Sequence, residues 1–227
     1  MNIEHCLTLL FSYPLVILLI ADWAMVWPTR RGNKVSLVLT AEQQTRMEIV
    51  GRKLILFRLV IVFVLLWATN RTLVADLSRS ASTHIPSAAI TGITIGLALL
   101  LASRFLSPIN GYFKGGSIGL WTAVFIVGAV VEEIWRAICI VDFQEIGWSA
   151  SATALVTAVA FAVAHLAGRP SRILPGGFLF EVIVGFGLAV SFIRTQSLVA
   201  PIVASLLYFP ISFLFARKTL AQFTETQ

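Results

Sequence analysis

Charged side chains are scarce in this chain. Asp, Glu, Lys and Arg make up 12% of its 227 residues, against about 25% in soluble domains. Cysteine is also rare, because Cys6 and Cys139 are the only two, which is too few for a disulfide framework. Together with a hydrophobic content of 58%, these shortages exclude a soluble enzyme, a disordered protein and a disulfide-stabilised scaffold. What remains is an integral membrane protein.

Long apolar stretches fill the sequence instead. A membrane-spanning helix needs about 20 apolar residues, and the chain has seven such stretches separated by Pro, Gly or charged residues. They cover residues 7–27, 54–74, 87–105, 119–141, 150–166, 178–193 and 198–216. The sequence therefore predicts an all-α, polytopic membrane bundle of about seven transmembrane helices.

The basic residues indicate how this bundle is oriented. Of the 17 Lys and Arg, twelve lie in or at the border of the loops after the first, third and fifth stretches or follow the seventh, three lie in or at the border of the loops on the other side, and two lie deeper within stretches. Cytoplasmic loops of membrane proteins carry the excess of Lys and Arg. We therefore expect the N-terminus outside, the C-terminus in the cytoplasm and a bacterial-type inner membrane as the location. The net charge of +6 has the same origin. The lipid bilayer is therefore the expected partner, and no binding to nucleic acid is expected.

Two adjacent carboxylates interrupt the fourth stretch. Glu132 and Glu133 lie within an apolar helix, where a single charge costs at least about 2.5–3.5 kcal/mol on insertion scales. Arg136 follows at helical spacing, so it can neutralise one of the two glutamates and leave the other over. A carboxylate left over in this way is suited to act as a general base toward water. The alternative is an ion pair that only fixes helix packing.

His165 is the one histidine inside a predicted span. The fourth and fifth spans form a hairpin whose turn is predicted at residues 147–149. Glu132 and His165 are nearly equidistant from that turn, so we expect them at the same depth in the membrane. A glutamate and a histidine on facing helices can jointly hold a water molecule or a metal ion. A packed, hydrogen-bonded histidine without a chemical role is the alternative.

Three motifs around these residues resemble the CPBP family, the CAAX-protease and bacteriocin-processing membrane proteins, also called Abi or type II CAAX endopeptidase-like proteins. The motifs are residues 132–136, with the double glutamate and the arginine, residues 161–165, from Phe161 to His165, and residues 195–202. The resemblance implies an α-helical intramembrane endopeptidase that acts on a peptide or membrane-protein substrate. It further implies that Glu132 activates the attacking water and that His165 assists the reaction. Glu133 and Arg136 complete the first motif.

The resemblance also implies a division of the chain. Residues 118–216 would form a four-helix catalytic core. Residues 1–117 would supply the N-terminal helices, with a basic cytoplasmic loop at 28–53, and residues 217–227 would form a cytoplasmic tail.

The sequence departs from the family pattern at two places. The first motif usually has three residues between its second glutamate and the arginine, whereas Ile134 and Trp135 are the only two here. The third motif usually carries a histidine and, four residues later, an asparagine. Those positions are Ser205 and Phe209 in this chain, and neither receives a functional role from the resemblance.

No cofactor is certain from the sequence. A divalent metal could be bound by Glu132, Glu133 and His165 at most, but adjacent residues on a helix point about 100° apart, so the ligand set does not support a tight zinc site. Two other functions stay open beside the protease. One is a degenerate family member that binds or escorts a membrane protein without cleaving it. The other is a proton-relay transporter.

Overall fold

Seven α-helices form the part of the protein that the structure describes. The computed structural model covers residues 3–29, 41–68, 84–106, 118–166 and 175–225, and every regular element in these ranges is helical. The helices are α1 Ile3–Thr29, α2 Ala41–Ala68, α3 Ile85–Leu106, α4 Ile118–Glu145, α5 Ala150–Leu166, α6 Pro175–Thr195 and α7 Val199–Glu225. The all-α prediction is therefore confirmed, with one helix for each predicted apolar stretch.

Helix boundaries differ from the prediction at two places. The predicted loop 28–53 is partly helical, because α1 continues to Thr29 and α2 begins at Ala41. Residues 41–52 contain no proline, a residue that would break a helix. They extend the apolar helix toward its N-terminus. Residues 69–74, the predicted end of the second span, lie outside the described residues. The predicted tail 217–227 is likewise helical as far as Glu225.

The turn between α4 and α5 lies where the sequence predicts it. Gly147 has a positive φ of 92°, which costs glycine little because it has no Cβ atom. Its N–H donates to the carbonyl of Gln144, and the N–H of Trp148 donates to the carbonyl of Phe143, both at 3.0 Å. This is the Schellman arrangement that ends many helices. Ser149 then caps α5, because its Oγ accepts a hydrogen bond of 3.2 Å from the N–H of Ala152.

α4 is the central helix of the bundle. It packs against α1, α2, α5, α6 and α7, while α3 packs against α6 and α7 at the periphery. The core around α4 is built from fully buried large side chains, including Trp135, Phe143 and Phe161. Any polar group on the inward face of α4 is consequently surrounded by side chains from several other helices.

Apolar side chains also cover the outside of the bundle. On α3, Ile90 and Leu101 are 64% and 65% exposed, although their contact with water would be unfavourable. By length and hydropathy, two stretches of the described helices could cross a membrane, namely Ile85–Ser103 and Gly177–Thr195. Shorter apolar stretches are Ile3–Ile17, Ala150–His165 and Val199–Ser212. An apolar exterior of this kind suits a lipid environment.

Glycines on α3 allow close contact with α7. A Cβ atom added at Gly92 would lie 2.4 Å from the carbonyl oxygen of Ala200 and 2.9 Å from the Cβ of Val203. Both distances are shorter than van der Waals contact, and one obstacle is backbone that cannot rotate away. The two helices therefore pack at a distance that only glycine permits at this position.

We expect Gly92→Ala to destabilise the protein by about 1–3 kcal/mol, because the added methyl group forces α3 and α7 apart. Thermal unfolding of the purified protein in detergent measures this loss. Gly187→Ala on α6 is the matched control, since its nearest neighbour would be Ile95 at 3.9 Å, an ordinary contact. Equal midpoints for the two variants would contradict the close contact of α3 with α7.

Asp142 is a buried acid at the end of α4, beyond the predicted span 119–141. Burial is the main reason why the pKa of Asp142 is raised to about 6, and repulsion from Glu145 is the second. The folded state therefore holds this proton more tightly than the unfolded state does, and the stability due to the protonated carboxyl is lost as the pH rises toward 6. We expect the midpoint temperature of thermal unfolding to decrease as the pH is raised from about 4 to about 7. The decrease should be smaller in Asp142→Asn. Parallel pH curves for the two proteins would contradict this.

Candidate active site

Glu132 lies on the inward face of α4 and contacts side chains from three other helices. Its Oε1 accepts hydrogen bonds from Nη2 of Arg58 on α2 at 2.9 Å and from the hydroxyl of Tyr13 on α1 at 3.4 Å. Its Oε2 lies 3.8 Å from Nε2 of His165 on α5. The carboxylate is 4% exposed. One carboxylate oxygen is thus held by two donors, and the other faces the imidazole.

The neutral form of His165 presents a hydrogen-bond acceptor to this carboxylate. Its Nδ1 lies 3.0 Å from the carbonyl oxygen of Phe161, one turn earlier on α5. A carbonyl can only accept a hydrogen bond, so Nδ1 must carry the proton. In the neutral ring Nε2 is then unprotonated, with its lone pair available toward Glu132. The side chain of His165 is 23% exposed, which makes it more accessible than either glutamate.

Glu133 has a separate set of partners. It forms an ion pair with Nη1 of Arg136, one turn later on α4, and its Oε1 accepts a 2.9 Å hydrogen bond from the hydroxyl of Ser205 on α7. The guanidinium of Arg136 lies over the ring of Phe161, 4.6 Å from its centroid, a favourable cation–π distance. Glu133 and Arg136 are both at most 1% exposed. This pair therefore fastens α4 to α5 and α7.

The expectation that one glutamate is left without a cation is wrong. Arg136 pairs with Glu133, and Arg58 supplies a second cation for Glu132. The spacing along α4 could indicate which residues the helix itself brings together, but a partner that comes from a distant helix is invisible to that pattern.

The third-motif positions take part in the structure in different ways. The hydroxyl of Ser205 donates a hydrogen bond to Glu133. The ring of Phe209 stacks on the imidazole of His165, with centroids 5.6 Å apart and planes inclined by 15°. Phe209 therefore places beside His165 an aromatic ring, which cannot donate a hydrogen bond.

The structure brings all four sequence-predicted site residues together around one turn of α4. Glu132 and His165, which the sequence predicts at the same level of the α4–α5 hairpin, lie 3.8 Å apart. Two further residues, Tyr13 and Arg58, contact the site and were not predicted for it. Arg58 carried a usable signal, because a charged residue within a predicted span requires a partner. Tyr13 carried none, since a tyrosine near the start of an apolar helix is unremarkable.

Metal binding has little support from the geometry. Within the described residues, no group of three or more His, Cys, Asp or Glu side chains is arranged to hold a metal ion. Glu132 faces His165, whereas Glu133 turns toward Arg136 and Ser205. The three ligands considered from the sequence therefore do not converge on one point.

Residues 114–208 match the family model described as Rce1-like, type II CAAX prenyl endopeptidase. The match covers α4, α5 and α6 completely, together with the first part of α7, and it supports the family resemblance indicated by the three motifs. Tyr13 and Arg58 lie outside the matched segment. The chain is significantly similar to no curated protein and to no solved structure.

Proposed function

Because residues 114–208 match the Rce1-like model, whose family consists of integral membrane proteins, we propose that this protein is an intramembrane endopeptidase in which Glu132 and His165 activate a water molecule. The observation that carries the proposal is the pair of acceptors, Oε2 of Glu132 and Nε2 of His165, facing each other at 3.8 Å. This separation is too long for a direct hydrogen bond, and both atoms can accept a hydrogen bond from a water molecule bound beside them.

A water molecule between these two atoms would donate one hydrogen to each. Its oxygen lone pairs are then directed away from both acceptors, toward a substrate carbonyl. As the water oxygen bonds to the carbonyl carbon, Glu132 takes one proton, and the carbonyl oxygen becomes an oxyanion. When the C–N bond breaks, that proton passes to the leaving amine, so that the products are a carboxylic acid and an amine. His165 orients the water molecule by accepting its other hydrogen bond.

Glu133 and Arg136 act in this proposal by holding α4 in place. Their ion pair is fully buried and is fixed from α7 by Ser205 and from α5 by Phe161. Rotation of α4 by even a small angle would move Glu132 away from His165, since the two residues sit on different helices. The second glutamate and the arginine thus preserve the acceptor pair.

The proposed substrate is a membrane-associated peptide, and the proposed setting is a multi-pass protein of a bacterial-type inner membrane. All seven helices would cross the bilayer, with the N-terminus outside and the C-terminus in the cytoplasm. The core would comprise residues 118–216, and the N-terminal helices of residues 1–117 would add side chains to its site. The distribution of Lys and Arg supports this orientation, and labelling of single exposed cysteines from either side of sealed vesicles tests it.

Purified protein in liposomes provides the test of activity. The probe is a fluorophore–quencher peptide ending in a CAAX sequence, prepared once farnesylated and once tethered by an N-terminal acyl chain. We expect the wild-type protein to cleave at least one of the two, and a preference between them identifies whether a prenyl group is recognised. Absence of turnover on both peptides would contradict the protease.

A binding protein without protease activity is the second candidate. It is favoured by Phe209, whose ring stacks on His165 where the family pattern has an asparagine, because removal of an oxyanion donor typically lowers the rate by about 10²–10³-fold. In that case the liposomes would retain the farnesylated peptide uncleaved, and retention would be lost on competition with unlabelled peptide. Turnover of the same peptide excludes this candidate.

A further inference from the structure

Arg58 reaches the candidate active site from outside the family-matched segment. It lies on α2, and the match begins only at residue 114. Its guanidinium is buried, with Nη2 2.9 Å from Oε1 of Glu132 and Nη1 donating to the carbonyl oxygen of Val124 at 2.8 Å. The bond to Val124 ties the guanidinium to the backbone of α4, two turns before Glu132. The guanidinium of Arg58 is therefore hydrogen-bonded to α4 at two places.

Gly128 provides the space that this guanidinium occupies. A Cβ atom at residue 128 would lie 2.3 Å from Nη1 and 2.7 Å from Cζ of Arg58. Residue 128 is one turn before Glu132 on α4, so the missing side chain creates a recess beside the carboxylate. Any other residue would push the guanidinium out of this recess.

The hydrogen bonds at Glu132 are divided between its two oxygens. Arg58 and Tyr13 both contact Oε1, and Oε2 faces His165. The two donors thereby fix the rotation of the carboxylate, and the guanidinium of Arg58 forms an ion pair with it. Arg136 forms its ion pair with Glu133, so it is not the cationic partner of Glu132.

We infer that Arg58, seated in the recess at Gly128, is a positioning residue for the hydrolysis, holding the carboxylate of Glu132 with Oε2 directed at His165. This inference rests on the proposed endopeptidase function. Because Arg58 acts through Glu132, its loss impairs the chemical step while substrate binding stays nearly intact. The N-terminal helices are then required for the reaction as well as for the fold.

Arg58→Met tests this inference with the farnesylated and acyl-tethered peptides in liposomes. We expect kcat to fall by about 100-fold, as for a misplaced catalytic group, with KM within about twofold of the wild-type value because Arg58 makes no substrate contact in the proposal. Arg58→Lys should restore part of kcat. Arg52→Met removes an exposed positive charge from the same helix and serves as the matched control.

Gly128→Ala tests the recess while every charge is kept. The added methyl group meets the mobile end of Arg58, so the helix packing survives while the guanidinium is displaced. We expect the same loss of kcat as in Arg58→Met, again with KM nearly unchanged. Gly119→Ala is the control on the same helix, since a Cβ there would have no neighbour within 4 Å. If Arg58→Met fails to fold, Gly128→Ala and Arg58→Lys carry the test.

The outcomes separate the two proposals. Wild-type cleavage that Glu132→Gln abolishes, combined with unchanged kcat in folded Arg58→Met and Gly128→Ala, overturns the role of Arg58 and leaves the protease standing. Equal losses in kcat and in 1/KM would also overturn it, because they indicate a general disturbance of the site. A wild-type protein that cleaves neither peptide overturns the protease and the role of Arg58 together.

Discussion

Glu132→Gln should lower kcat/KM for the peptide that the wild-type protein cleaves by about 10²–10⁴-fold, the range for loss of a general base. The amide is nearly isosteric with the carboxylate, and its oxygen can still accept the hydrogen bond from Arg58, which lies 2.9 Å away in the wild type. It cannot take a proton from water. The variant therefore removes the proposed chemistry while retaining most of the packing.

His165→Ala should give a loss of similar kind, because the water would keep only one of its two acceptors. The controls are Glu145→Gln, an exposed carboxylate on the same helix, and His84→Ala, an exposed histidine outside the site. Both controls should keep the wild-type rate. Activity that survives Glu132→Gln within tenfold, in a folded protein, would exclude Glu132 as the base.

Arg136→Met should destabilise the protein by about 3–5 kcal/mol, the usual cost of leaving one member of a buried ion pair without its partner. Arg136 and Glu133 are 0% and 1% exposed, so water cannot replace the lost cation. The hydroxyl of Ser205 is the other hydrogen-bond donor to Glu133, and it carries no charge. Thermal or denaturant unfolding in detergent measures the effect.

The double variant Glu133→Gln/Arg136→Met distinguishes a buried charge from lost packing. Removal of both charges should recover a large part of the stability, since replacing a buried pair with neutral side chains is often nearly neutral. Arg194→Met, at an exposed position on α6, should change stability little. A double variant as unstable as Arg136→Met would contradict the charge explanation and assign the loss to packing against Phe161.

Local sequence patterns determined the helices of this protein and the turn between α4 and α5. Composition and apolar length predicted seven helices, and each appears in the described part of the chain. Gly147 and Ser149 marked the α4–α5 turn, and equal distance from that turn placed Glu132 beside His165. These predictions succeed because helix formation, capping and hairpin depth depend on residues close together in sequence.

Tertiary structure alone decided which partner each glutamate takes. On α4, Arg136 could have reached either carboxylate, and the contacts from Ser205 and Phe161 place it with Glu133. Arg58 reaches Glu132 because α2 packs on α4 at the recess left by Gly128. Such pairings join residues that are 72 and 74 positions apart in the chain. They follow from how the helices rotate and approach one another when packed, which no periodicity within a single helix encodes.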